Sequence, residues 1–322
     1  MSGERTLRLG FMPLNDSAAL LAGRAMGFFA DEGLDVVLSR EASWATVRDK
    51  LAVGALDAAQ VLAPMALAAT LGVGSDPVAM AAPLILSRDG PAITVASRLA
   101  GVFGADGARG LARLVARRRE EGASPLTFAV VFPYSAHAYL LRGWMADAGL
   151  DPDRDVRLTV VPPPRTAELL AEGVIEGFCA GEPWNLLAEA AGAGRVVARA
   201  ADLHGHKPDK ALGVTQAWAA ARPDVLAALL RALARASAWA DTVENRPALA
   251  ELLARPEHLD RPAELLERSL AGMSLGENRP TPEDAAWVAG QMRRWRQAGA
   301  QADAAAAGVF APDLFDRSLA GA

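Results

Sequence analysis

The chain contains one cysteine, Cys179, and four histidines in 322 residues. One thiol cannot form an intrachain disulfide, and so few imidazoles leave little material for a histidine-rich metal centre. Tracts of positive charge are also missing. Net charge is −5, and the longest basic run, Arg117-Arg118-Arg119, passes straight into Glu120 and Glu121. That pattern reads as a solvated helix face. Direct nucleic-acid binding is not expected, because neutralising phosphates needs a basic surface. No stretch reaches the ~18 uninterrupted apolar residues that span a bilayer. Even residues 226–233 form an amphipathic helical stretch, interrupted by Arg231.

Enzyme signatures are absent too. There is no G-x-x-x-x-G-K-[ST] loop, no G-x-G-x-x-G after a strand, no G-x-S-x-G elbow and no H-E-x-x-H pair. Cys179 lies in an apolar strand-like segment and reads as core rather than nucleophile. His204 and His206 flank Gly205 in a loop, where two ligands without a third make a poor metal site. His258 follows Arg255-Pro256-Glu257 and is assigned to the surface. No catalytic residue and no metal are therefore expected. Met-Ser-Gly-Glu-Arg runs into the first strand-like segment without a basic region, an apolar stretch or a small-residue cleavage site. With Met1 as the natural start, the protein is expected in the cytoplasm; a trimmed sequence would look the same.

What is present is the composition of a folded protein, 52% hydrophobic and 22% charged, on a length that suits two lobes. Short apolar stretches alternate with helical ones, the signature of β/α units. Strands are expected at 7–11, 35–38, 58–62, 78–86 and 92–96, with helices at 17–30, 44–53 and 64–71. A second series follows, with helices at 107–121, 136–148, 165–173 and 183–191 and strands at 126–132, 156–161, 177–180 and 195–200. After about residue 211 the pattern is mostly helical, with prolines at or near four helix starts. The simplest assembly is one lobe from 1–95 plus 212–322 and a second from 96–211, joined by two hinge crossings. Ligands of open α/β sheets bind beyond the carboxyl ends of strands, so a cleft between lobes is the expected site.

Four places suit an anion. Ala42-Ser43-Trp44 opens a helix beyond a strand, where Ser43 can cap it and leave backbone and indole N–H groups for a ligand. Trp44 would equally serve as core. In Phe132-Pro133-Tyr134-Ser135-Ala136-His137 a histidine sits in the first helical turn, a donor where the dipole already favours an anion; a structural histidine fits as well. Phe178-Cys179-Ala180-Gly181-Glu182-Pro183-Trp184-Asn185 is a third strand-to-helix turn. There Gly181 permits close backbone approach, while Glu182, awkward beside an anion, braces a neighbouring group. Lys207 and Lys210 lie in a polar stretch, 204–210, that reads as a solvated loop.

These segments resemble the nitrate-binding proteins of the nitrate/bicarbonate ABC-uptake family, and more closely their leaderless relatives, the cytoplasmic nitrate/nitrite sensors of the NasS type. The resemblance also runs through Leu9-Gly10-Phe11-Met12-Pro13-Leu14-Asn15-Asp16, Gly27-Phe28-Phe29, Arg48-Asp49 and Val161-Pro162-Pro163-Pro164, and covers about residues 7–240. It implies a type II periplasmic-binding-protein-like α/β fold, with anion contacts falling on Trp44, His137, Gly181 and Lys210. Bicarbonate-binding relatives carry an acidic residue at the Lys210 position and recruit calcium; a lysine implies a bare monovalent anion and no cofactor. A family glutamine falls on or beside Pro91, where proline supplies no donor. The resemblance further implies a partner, an ANTAR-domain antiterminator that binds leader RNA and is released on nitrate or nitrite binding. The other role open to this family is substrate delivery to a nitrate permease.

Overall fold

Each alternation of apolar and amphipathic segments folds as a β/α unit, in a computed structural model that describes residues 6–103 and 107–320. The opening Met1 to Arg5, on which the leader argument rests, lies outside them. The chain divides into a first unit, Met1–Arg88 with Lys207–Ala322, and a second, Asp89–His206. The first begins β1 (Thr6–Phe11), α1 (Ala18–Ala25), α2 (Phe28–Asp31), β2 (Asp35–Arg40), α3 (Trp44–Ala52), β3 (Ala58–Leu62), α4 (Ala63–Leu71) and β4 (Met80–Arg88). The second runs β5 (Pro91–Ala96), α5 (Ala100–Phe103), α6 (Ala108–Glu120), β6 (Thr127–Val130), α7 (Ala136–Ala146), β7 (Arg157–Val160), α8 (Thr166–Ala171), β8 (Gly177–Gly181), α9 (Trp184–Ala190), β9 (Gly194–Arg199) and α10 (Ala200–His204). The chain then completes the first unit with β10 (Pro208–Thr215), α11 (Gln216–Ala221), α12 (Pro223–Asp241), α13 (Arg246–Ala254), α14 (Ala263–Ser269), α15 (Pro282–Arg294), α16 (Gln301–Val309) and α17 (Pro312–Ala320).

The two sheets repeat one plan. The first has the order β2-β1-β3-β10-β4 and the second β7-β6-β8-β5-β9. In the first, β1 is parallel to β2 and β3 while β10 runs antiparallel to β3 and β4. In the second, β6 is parallel to β7 and β8 while β5 runs antiparallel to β8 and β9. This pairing corrects the expected lobe boundaries at 95/96 and 211/212. Residues 91–96 bond to β8 and β9 and so belong to the second unit, and residues 208–215 bond between β3 and β4 and so belong to the first.

The expected single helix over 17–30 is broken. Gly27 takes a left-handed φ of 84° between α1 and α2, a backbone state open to glycine at little cost. The stretch 204–210, expected as a loop, is half strand. Proline and aspartate are depleted in strands, which hid β10, yet Pro208 sits at its first position, where a missing N–H is tolerated.

Each unit has its own core. In the first, Leu7, Leu9 and Phe11 of β1 pack with Leu226, Leu229, Leu230 and Leu233 of α12, which repeat at helical spacing. In the second, Ile93, Val95, Phe128 and Val130 pack with Leu140, Leu141 and Trp144 of α7. Cys179 is buried in that core, as its apolar setting suggests. A buried, bidentate pair from Arg88 to Asp284, at 2.7 and 2.8 Å, fixes the end of β4 to the first turn of α15. No helix of the described residues is long and apolar enough to cross a membrane.

Candidate functional site

Within the first unit, the carboxyl ends of the parallel strands are where side chains with chemistry collect. Ser43 caps α3 as its sequence position suggests, its Oγ accepting from Thr46 N at 3.1 Å. The cap turns the chain so that Trp44, the first helical residue, points inward and is only 1% exposed. Its indole Nε1 is buried and finds no hydrogen-bond partner. An unmatched buried donor costs about 1–3 kcal/mol.

Lys210 lies beside Trp44, its Nζ 5.7 Å from the ring centroid. The expected solvated-loop lysine is instead a fully buried residue of β10, paired with Leu62 on one side and Ser87 on the other. Register shifts on both sides of Lys210 break the strict alternation of the strand. Consecutive side chains, Asp209 and Lys210, are both buried.

The ammonium is held by two carboxylates, Asp16 Oδ2 at 2.7 Å and Asp209 Oδ2 at 2.6 Å. Gln60 of β3 completes the cluster. Its Nε2 donates to Asp16 Oδ1 while its Oε1 accepts from Met12 N at 2.8 Å. Burial is the largest influence on Asp16 and pushes its carboxyl up to about 6, against the pull of Lys210. For Lys210, burial alone would lower the pKa, but the combined attraction of Asp16 and Asp209 prevails and leaves it raised. Asp16, Asp209 and Gln60 were not picked out from the sequence as site residues. The one available signal was Gln60, a lone amide within the apolar strand Ala-Ala-Gln-Val-Leu.

The other expected contacts fall in the second unit, again at the carboxyl ends of parallel strands. Ser135 caps α7 by accepting from Ala138 N at 3.0 Å, and its hydroxyl donates to Phe132 O at 2.7 Å. His137 follows in the first turn and is fully buried. Gly181 ends β8 and pairs directly with Pro91 at the start of β5. Pro91 therefore occupies the strand position opposite the turn, where it brings no N–H. Glu182 is 4% exposed and accepts from Leu186 N at 3.1 Å, with Arg199 Nη1 at 3.5 Å from its other oxygen. Burial pushes its carboxyl up, and the Leu186 N–H and Arg199 oppose this. Glu182 is thus a brace for the first turn of α9 and for the end of β9.

Thus Trp44 and Lys210 meet in one unit, while His137, Gly181, Glu182 and Pro91 share the second. His206 Nδ1 lies 2.6 Å from Asp89 Oδ2, so that histidine is tied to a carboxylate. His258, expected at the surface, is 9% exposed, because its Nδ1 turns in to the Leu252 carbonyl at 2.7 Å. Among the described residues, no group of three or more His, Cys, Asp and Glu side chains is arranged to hold a metal ion.

Comparison with known proteins follows this geometry. The model of the NMT1-like family matches residues 2–254. The nitrate import ATP-binding protein NrtC of Synechocystis sp. is 34% identical over 310 residues, 90% of this chain and 46% of its own length. The nitrate/nitrite binding protein NrtA of Nostoc sp. is 30% identical over 280 residues, 84% of this chain and 62% of its own. The chain therefore spans about half the length of the first of these relatives and under two thirds of the second. The crystal structure of the periplasmic nitrate-binding protein NrtA from Synechocystis PCC 6803 superposes with a TM-score of 0.92 at 27% identity, over 98% of this chain and 89% of that one. The Xanthomonas alkanesulfonate-binding protein SsuA shares the fold at a TM-score of 0.72 and 17% identity, over 96% and 97% of the two chains. With its two matched sheets, its buried Trp44 and Lys210 and these similarities, the chain has the α/β periplasmic-binding-protein-like fold and belongs to the NMT1-like family.

Proposed function

We propose that this protein is a non-enzymatic receptor for nitrate or nitrite, bound in its first unit through Trp44 and Lys210. The observation that carries the reading is the buried indole N–H of Trp44, a donor with no acceptor in the protein, next to an ammonium. An oxyanion supplies the missing acceptor without needing a proton or a metal. Similarity to nitrate-binding proteins supports the same choice of ligand. Titration calorimetry with nitrate, nitrite and bicarbonate, each with and without a chelator, tests it. Nitrate or nitrite should bind equally well in both conditions. Trp44→Phe should weaken binding about tenfold, and it should also lower stability by about 1–3 kcal/mol, because the smaller ring leaves a cavity at this buried position. Absence of nitrate and nitrite binding by the parent would overturn the reading.

For its role, the reading extends to a cytoplasmic sensor that holds an ANTAR-domain antiterminator and releases it when the anion binds. Linkage requires the two affinities to oppose each other by the same factor. Co-elution with such a partner across a nitrate titration tests this; a complex that persists at saturating nitrate and nitrite excludes release. A second reading, the binding component of a nitrate uptake system, is favoured by one observation: the relatives above are named for import and binding. Lack of any complex without ligand would select it.

A further inference from the structure

The first unit contains a second basic place, unrelated to Lys210. A cavity of about 610 Å³ opens between the last turn of α1, the end of β2 and the turn after α13. Phe11, Leu21 and Leu38 contribute apolar walls, and three arginines, Arg24, Arg40 and Arg255, line it against a single acid, Glu257. His258 belongs to the lining as well, its ring edge-on to Phe11 at 6.2 Å and 77°. Because a carbonyl only accepts, the 2.7 Å contact with Leu252 O makes Nδ1 the proton-bearing nitrogen.

Several arginines elsewhere in this unit are matched. Arg88 pairs with Asp284, Arg231 with Glu32, Arg235 with Asp31 and Arg279 with Asp316. Around the cavity they are not. Among the described residues, the side chains of Arg24 and Arg255 make no hydrogen bond or ion pair, and that of Arg40 donates only to the Pro256 carbonyl, at 3.3 Å. Arg24 in the last turn of α1 and Arg255 at the end of α13 each complement a helix C-terminus. That accounts for one charge at each helix end, not for three guanidinium groups facing a common space.

We propose that this cavity binds a small polyanion bearing two or more phosphoryl groups. Guanidinium forks match phosphoryl oxygens two at a time, and three of them around one cavity exceed what a monovalent anion requires. The apolar walls leave room for an organic portion, so the ligand is either an inorganic polyphosphate or a nucleoside polyphosphate. The site shares no lining residue with the Trp44–Lys210 cluster and does not depend on the nitrate reading.

Calorimetry at about 0.15 M ionic strength, where loose surface attraction is screened, tests it with tripolyphosphate and with ATP against the full chain. Either should bind. Arg24→Ser and Arg255→Ser should each weaken binding about tenfold or more, and together far more. Both positions are exposed, so the melting temperature and the nitrate isotherm serve as controls and should not change. Binding of tripolyphosphate assigns the phosphoryl chain alone as sufficient, and binding of ATP alone assigns the nucleotide source. No binding of either ligand, or equal binding by the double variant, overturns the proposal.

Discussion

Asp16 carries a proton or a charge depending on a pH close to neutrality, and Lys210 is held on the other side of that balance. The folded pKa of Asp16, about 6, lies above the ordinary carboxylate value of 3.8. A raised carboxyl favours folding while protonated, so its contribution is complete below about 3.8 and is lost as pH rises through 6. Asp16→Asn removes that titration. The stability of the variant relative to the parent should therefore improve between pH 3 and pH 8, by up to about 3 kcal/mol, in parallel denaturant melts. An unchanged difference would place the titration elsewhere. Truncating Lys210 is a different matter: two buried carboxylates lose their cation, at about 3–5 kcal/mol, so its loss confounds folding with binding. The sequence made Ser43 and Trp44 legible because a cap and its helix are local. It left the setting of Lys210 hidden, because Asp16 and Gln60 come from distant positions.

Helix starts were the best-read elements, and caps explain why. Ser43, Ser135 and Thr281 each accept from the backbone three residues on, a bond encoded within four residues of sequence. Ser135→Ala should lower stability by about 1 kcal/mol, seen as a shifted urea midpoint with the slope unchanged. Loss of more than about 2 kcal/mol would mean that the Phe132 contact of the same hydroxyl carries weight of its own. Strand β10 was the worst-read element. Its Pro-Asp-Lys opening resembles a turn, and its membership of the sheet depends on β3 and β4, more than a hundred residues earlier. At the two crossings the expected boundaries fail because strand pairing is not local: 91–95 are placed with the first lobe though β5 bonds to β8 and β9, and the 211/212 boundary cuts through β10.

At the scale of the whole chain, the second unit is continuous in sequence, and its five strands all fall between Pro91 and Arg199. A fragment of residues 89–206 should fold alone, with a cooperative thermal transition and dispersed amide resonances, because its core draws on no residue outside it. A broad, non-cooperative melt would refute this. The first unit lacks that independence. Its sheet is interrupted until β10 enters between β3 and β4. On the ribosome, β1 to β4 emerge before β10, with a vacancy between β3 and β4. The inserted unit is then made in full before the missing strand appears. Synthesis thus presents a finished module beside an unfinished one, and β4 has an open hydrogen-bonding edge throughout that interval. Such edges invite pairing with other chains. The central position of β10 therefore exposes a nascent chain to aggregation for the time needed to make about 120 residues, a period governed by elongation rate rather than by the stability of the finished protein.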